Sequence, residues 1–360
     1  MSEQITDLLV KRGALRERRF TSPPMPELGE GQALLRVDCF ALTANTVTYA
    51  AFGEAMRYWD FFPPAEHERA AWGRPPCWGF GDVVASRAEG VREGARYYGS
   101  FPIGTHLVVD SAARGAGFVD AAAHRAALPK FYNAYTAAPA SAPDDEAMAM
   151  LLRPLFATAF LLDDYLADAE YFGASRVVLS SASSKTALGL AWLLKARGDV
   201  EVIGLTSPTS TPFLERADVY DRVIPYAEAP ALAGDVTTTY VDFSGAAALR
   251  ARLHTLLGAA LRHDCVVGAA DWSAVGETPA DLPGVRPAFF FAPAIAEQRA
   301  AQWGLGVLES KLGAASADFF AAARPWIKIT RGEGRDAVDK AWIDAVDGRT
   351  PPDAGVILRL

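Results

Sequence analysis

The chain has 360 residues, of which 51% are apolar and 22% charged, and a formal net charge of −8. It is long enough for two domains with their own cores, on a prior of roughly 150 residues each, and its composition is that of a soluble globular protein. No basic run is present, which argues against a nucleic-acid surface, and no apolar run reaches the roughly 18–20 residues that span a bilayer.

Residues 1–19 are polar and charged, with no signal-peptide core. Cys39, Cys77 and Cys265 are far apart and odd in number, a pattern of reduced thiols in a cytoplasmic protein. Up to about residue 117 the chain reads as short strands broken by turns. Residues 31–42 and 81–86 alternate as strands do, and 96–102 and 105–109 form a further pair. From about residue 147 the period becomes helical, with Leu151, Leu152, Leu155, Phe156 and Phe160 on one face. Strands are then predicted at 177–180, 202–205, 223–225, 239–243, 265–268 and 288–292. Helices are predicted at 184–196, 212–217 and 246–257. Such alternation implies right-handed crossovers and a mostly parallel sheet. The tail reads as an amphipathic helix over 294–312, another near 337–346, and a short strand over 356–358.

The most informative stretch runs Val177-Val178-Leu179-Ser180-Ser181-Ala182-Ser183-Ser184-Lys185-Thr186-Ala187 and on into an apolar helix. A buried strand, a tight turn of small residues and a helix start are the layout in which pyrophosphate sits on the free N–H groups of a helix N-terminus. Ser181, Ser184 and Ala187 stand at a Gly-x-x-Gly-x-x-Gly spacing, and Lys185 lies in the turn. A cation is disfavoured beside the positive end of a helix dipole unless an anion meets it. The lysine therefore points to a bound phosphate, and a solvated lysine on an ordinary crossover is the alternative. After the next strand, Thr206-Ser207-Pro208-Thr209-Ser210 contains no acid to hold a ribose 2′-hydroxyl. Hydroxyls near Lys185 suit a 2′-phosphate, and the same residues also serve as helix caps.

Two aromatic segments stand out, Tyr58-Trp59-Asp60-Phe61-Phe62 through Trp72 and Trp78, and Lys130-Phe131-Tyr132-Asn133-Ala134-Tyr135. Aromatic walls with a few polar handles suit a flat, apolar ligand, and large aromatics equally fill cores and interfaces. The five histidines, His67, His106, His124, His254 and His263, have no ligand-like spacing.

The order of an all-β part, a nucleotide-type sheet and a returning tail resembles the medium-chain dehydrogenase/reductase superfamily. Ala44-Asn45-Thr46-Val47-Thr48-Tyr49 resembles the Asn-Pro-Val-Asp-Tyr segment of zinc-independent quinone reductases. Trp78-Gly79-Phe80-Gly81-Asp82-Val83-Val84-Ala85-Ser86 resembles the Gly-His-Glu strand with its two metal-site residues replaced. Residues 200–226 are similar to the second and third nucleotide-domain strands, and 348–358 to the C-terminal return. Residues 152–161, 180–189 and 205–208 resemble a bacterial branch labelled as of unknown function.

The resemblance implies an α/β chain in which a GroES-like β-barrel domain (1–146, completed by 300–360) joins a Rossmann-type, doubly wound parallel-sheet domain (147–299). It implies NADP as cofactor, held by Ser181, Ser183, Ser184, Lys185, Thr186, Thr206 and Ser207, with Thr158, in a Phe156-Ala157-Thr158-Ala159 turn, facing the nicotinamide. Tyr49 and Asn45 would stand beside a small-molecule substrate. With Phe80 and Gly81 in the His and Glu positions, the expectation is a zinc-free site, and without a metal to polarise a carbonyl, reduction of a conjugated C=C is the easier chemistry. The expected activity is NADPH-dependent reduction of an enone, quinone or similar carbonyl compound in the cleft between the domains of a cytoplasmic homodimer. A zinc-free ketone or alcohol oxidoreductase, and a redox-inactive nucleotide-binding or scaffold protein, are the alternatives.

Overall fold

The computed structural model describes residues 4–139, 141–268 and 282–360. In chain order the elements begin β1 (Asp7–Lys11), β2 (Ala14–Thr21), β3 (Gln32–Leu42), α1 (Ala44–Ala51), β4 (Trp72–Gly73), β5 (Pro76–Ser86), β6 (Arg96–Pro102), β7 (His106–Arg114), β8 (Gly117–Asp120) and β9 (Ala134–Ala137). There follow α2 (Pro143–Asp168), β10 (Arg176–Leu179), α3 (Lys185–Arg197), β11 (Glu201–Thr206), α4 (Thr211–Ala217), β12 (Arg222–Pro225), β13 (Thr238–Asp242), α5 (Ala247–Leu257), β14 (Leu261–Val266) and β15 (Ala288–Phe289). The tail holds α6 (Ala292–Trp303), α7 (Leu305–Ala323), β16 (Lys328–Glu333), α8 (Gly334–Val346) and β17 (Ala354–Arg359). No helix among the described residues is long and apolar enough to cross a membrane.

The chain divides into two units, Met1–Leu151 with Lys328–Leu360, and Leu152–Ile327. In the first, antiparallel strands run in the order β3-β5-β6-β9-β8-β7, and β7 pairs again with β3, which closes a barrel. Strand β3 is long enough to use one edge twice, with Gln32–Arg36 beside β7 and Phe40–Leu42 beside β17. The crossover β16-α8-β17 therefore completes the barrel sheet from the far end of the chain, and Trp342 of α8 anchors it by donating its indole N–H to the Leu15 carbonyl at 2.8 Å. Strands β1 and β2 arise within sequence that reads as polar. Leu8, Leu9 and Val10 are buried, and the charged side chains of β2 face outward.

One guanidinium fastens the barrel strands to the start of α2. Arg96 on β6 donates to both oxygens of Glu146 at 2.9 and 2.7 Å, to both of Asp82 at 2.9 and 3.1 Å, and to Asp38 at 2.8 Å. It also lies over the Phe80 ring, 5.1 Å from the centroid. Forked guanidinium–carboxylate bonds fix direction as well as distance, so β3, β5, β6 and α2 share one register point.

The second unit is a parallel sheet in the order β12-β11-β10-β13-β14-β15. Counted from β10 this is 3-2-1-4-5-6, the order of dinucleotide-binding doubly wound sheets, whose switch point lies between the first and fourth strands. Its strands carry buried Val177, Val178, Leu179, Ile203, Leu205, Tyr240 and Val241, as a sheet covered on both faces requires. The helix predicted over 294–312 is two helices, because Gly304 turns the chain with φ +88°. Both belong to this unit: Arg299 pairs with Asp164 and Asp168 of α2, and Phe319 stacks on Phe156 at 4.6 Å. The return to the first unit accordingly starts at Lys328, later than the expected residue 300.

Replacing Arg96 by Met removes the cation shared by three clustered carboxylates, leaving Arg359 on Asp38, and is expected to destabilise the chain by about 3 kcal/mol in a urea melt. A loss below about 0.5 kcal/mol would show that solvent alone screens them.

Candidate functional site

The end of β10 is built around a buried carboxylate. Ser180 donates its hydroxyl to Asp242 at 2.7 Å and accepts the N–H groups of Phe243 and Ser244. Asp242, at the end of the neighbouring β13, also accepts from the Ser244 and Gly245 backbone and the Ser244 hydroxyl, and its second oxygen pairs with Arg250. These bonds hold the carboxyl ends of two strands together at the switch point, where ligands of such sheets bind.

The turn that follows holds Ser181, Ser183, Ser184, Lys185 and Thr186 together. Ser181 has φ +45°, a left-handed conformation that glycine usually supplies. Its N–H donates to the Tyr226 hydroxyl at 2.9 Å, and its carbonyl accepts the Ser184 N–H at 2.8 Å. Ser184 is the N-cap of α3, its hydroxyl accepting the Ala187 N–H at 3.3 Å, and Lys185 is the first helical residue. The amides of Ser183 and Thr186 have no hydrogen-bond partner among the described residues, as is usual for N–H groups at a helix start. The turn lies against β11: Ala182 donates its N–H to the Leu205 carbonyl at 3.1 Å. A β-carbon on Gly204 would come 2.9 Å from that of Ala182, so this glycine is what permits the approach.

Thr206 is buried at the end of β11. Ser207 next to it shares hydroxyl hydrogen bonds with Thr209 at 2.9 Å and Ser210 at 3.2 Å. Ser210 occupies the N-cap of α4 without making a side-chain cap bond, so these hydroxyls bond among themselves rather than capping the helix. Thr158 is not in a turn. The helix α2 is continuous from Pro143 to Asp168, begun by Asp144, Asp145 and Glu146, acids that suit a helix N-terminus, and Thr158 lies half-buried inside it.

In the first unit, Tyr49 and Asn45 lie one turn apart on α1, on the same face. The Tyr49 hydroxyl accepts the Trp78 indole N–H at 3.1 Å, and its ring lies 4.7 Å from that of Tyr58 and 5.7 Å, edge-on, from that of Tyr132. The Tyr58 and Tyr132 hydroxyls are 3.2 Å apart. Burial pushes the Tyr49 phenol well above its usual range, and hydrogen bonds from Trp78, Tyr132 and Asn45 only partly offset it. Tyr58 and Tyr132 are raised by burial in the same way. The two aromatic segments thus divide: Trp59, Phe61 and Phe62 are buried core, and Tyr58, Trp78, Phe131 and Tyr132 gather around Tyr49. Sequence reasoning missed Tyr226 and Asp242, although Tyr226 lies in the segment matched to the third nucleotide-domain strand.

Among the described residues, Asp38, Cys39 and Glu146 are the side chains whose metal-ligand atoms converge. The Arg96 guanidinium binds both of those carboxylates, and burial followed by Asp38 pushes the Cys39 thiol up to about 12. A cation would have to displace one positive charge and deprotonate a reluctant thiol, so the group does not fit a metal.

Residues 40–351 match the family described as "Protein of unknown function (DUF2855)". The chain belongs to that family. No curated protein matches the sequence. Solved structures do share the family's fold. CurA from Vibrio vulnificus, in complex with NADPH, has a TM-score of 0.61 at 14% identity, covering 98% of both chains. The CurK enoyl reductase has 0.56 at 14%, covering 99% of this chain and 100% of that one. The yhdH oxidoreductase from Salmonella enterica, in complex with NADP, has 0.56 at 13%, covering 99% of both. Such likeness establishes the medium-chain dehydrogenase/reductase fold.

The tyrosine cluster makes alkaline stability a direct readout. Unfolded phenols ionise near pH 10, whereas the folded phenols of Tyr49, Tyr58 and Tyr132 stay protonated. Stability is therefore expected to be full below about pH 10 and to fall as pH rises further, with phenolate absorbance appearing only as the chain unfolds. Gradual ionisation without loss of stability would show these hydroxyls to be solvated.

Proposed function

We propose that the chain is an NADPH-dependent, zinc-independent oxidoreductase that reduces an enone, quinone or similar small carbonyl compound. The observation that carries this reading is the Ser183–Thr186 segment: an N-capped helix start with two available amides and a lysine, at the switch point of a 3-2-1-4-5-6 sheet. Neighbours of the same fold are described in complex with NADPH and NADP, and one as an enoyl reductase, which supports the cofactor and the reaction class.

The Ser183 and Thr186 amides and the Lys185 ammonium would hold the pyrophosphate. Thr206 and Ser207, with no acid beside them, leave room for the charge of a 2′-phosphate. Bound there, the cofactor would supply a hydride. Reduction of a conjugated C=C places negative charge on the carbonyl oxygen, and a buried neutral phenol is suited to hold that oxygen by a hydrogen bond. Tyr49, raised by burial, keeps its proton in this role, so the proton that completes the product comes from water. Asn45 would orient the substrate from the same helix face. Arg96 on Asp38 and Glu146 supports zinc independence. The exposed Phe289 on edge strand β15 supports a homodimer, and three buried free thiols suit a reducing cytoplasm.

Titration with NADPH and NADH, followed by nicotinamide fluorescence, is expected to show preference for NADPH, and Lys185→Ala to weaken NADPH binding about tenfold, more at low salt. Binding of neither nucleotide would leave a repurposed fold instead.

Once a turned-over enone or quinone is found, Tyr49→Phe is expected to lower kcat about a hundredfold, as loss of one oxyanion donor does. An unaltered kcat removes Tyr49 from the chemistry.

A further inference from the structure

We infer that Tyr226 and Tyr220 are positioning residues that do for the β10–α3 turn what glycines do in a glycine-rich one. They hold Ser181 in its left-handed conformation and decide which amides are left for an anion. The role assigned to that anion rests on the cofactor proposal above, but the clamp itself does not.

The turn reverses a buried strand into a helix between Leu179 and Lys185. Ser181 makes the reversal at φ +45°, a conformation that crowds any residue with a β-carbon and that glycine adopts freely. Two hydroxyls stand on either side of it. Tyr226 accepts the Ser181 N–H at 2.9 Å, and Tyr220 donates to the Ala182 carbonyl at 2.8 Å. The peptide groups before Ser181 and after Ala182 are therefore each fixed by a phenol.

Both tyrosines flank β12, the strand next to β11, so the sheet itself aims them at the turn. Tyr220 is buried, and its ring fits only because Gly204 has no side chain: a β-carbon there would lie 3.0 Å from two ring carbons. The glycine requirement has thus moved from the turn to β11. With the Ser181 amide taken by Tyr226, the donors that remain are those of Ser183 and Thr186 beside Lys185. The clamp shifts anion recognition toward the helix start and the lysine.

The test is a cycle of Tyr226→Phe, Ser181→Gly and the double variant in the full chain. It reads NADPH affinity and, separately, the thermal midpoint without nucleotide. Tyr226→Phe is expected to weaken NADPH binding about three- to tenfold, the worth of one hydrogen bond, and to lower the midpoint. Ser181→Gly in the same chain is expected to restore both, because glycine needs no clamp. Tyr220→Phe should lower the midpoint, again with recovery by Ser181→Gly. Unchanged values in Tyr226→Phe would overturn the inference, and so would a loss that Ser181→Gly does not restore, since Tyr226 would then act on the ligand or elsewhere in the core. If the parent chain binds no NADPH, the cofactor proposal fails on its own. The nucleotide-free midpoints then decide the clamp by the same pattern of loss and recovery.

Discussion

The buried carboxylate of Asp242 is the constraint around which the second unit is arranged. Fully excluded from solvent, it would be too costly to keep charged without partners. It has them: the Ser180 and Ser244 hydroxyls and the Ser244 and Gly245 amides share one oxygen, and Arg250 takes the other. Because Ser180 is the residue after β10 and Asp242 the last of β13, satisfying the charge draws together the two strand ends between which the sheet reverses order. Arg250 also approaches Asp264, which bonds His254 at 2.8 Å, and the other His254 nitrogen faces the Pro283 carbonyl at 2.9 Å. Burial pushes the Asp264 carboxyl up, and the His254 hydrogen bond and the Arg250 guanidinium beside it pull it back down.

Much of this architecture is legible in the sequence. Buried parallel strands read as continuous apolar runs, and Val177-Val178-Leu179 and Val202-Ile203-Gly204-Leu205 announce themselves. The barrel is legible only in part. Its long strands β3 and β5 alternate well enough to be seen at their centres, whereas β2 carries an outward row of Arg and Glu that imitates a polar loop. Helix breaks depend on single residues, and Gly304 within an otherwise helical pattern is such a break. The turn expected at Thr158 came with the resemblance, whereas the helical period of Leu151, Leu152, Leu155, Phe156 and Phe160 already runs through it, and the helix is continuous there.

The candidate site divides along the same line. Ser181 to Thr186 are adjacent in sequence, and a short turn is bound to bring them together. The partners that shape the turn are Gly204 of β11, Asp242 of β13, and Tyr220 and Tyr226 on either side of β12. No local pattern marks them, because their role exists only once parallel pairing sets β11, β12 and β13 beside β10. A glycine-poor turn in isolation therefore looks degraded, and the same turn in its sheet is braced.

Arg96 makes the corresponding argument for the first unit. Asp38, Cys39 and Glu146 are residue types that hold metals, and their ligand atoms converge. The side chain that decides the matter is on β6, far from them in sequence. A guanidinium offers fixed N–H directions where a metal ion offers open coordination, and Arg96 spends those directions on Glu146, Asp82 and Asp38. The Tyr49 cluster itself offers uncharged groups: the phenols of Tyr49, Tyr58 and Tyr132, kept protonated by burial, and the Trp78 indole. A site of neutral hydrogen-bond donors stabilises charge that develops on a substrate oxygen and has little to offer a reaction that needs a strong electrophile from the start. That physical distinction is the reason a conjugated carbonyl compound, and not a simple ketone, is the substrate class we propose.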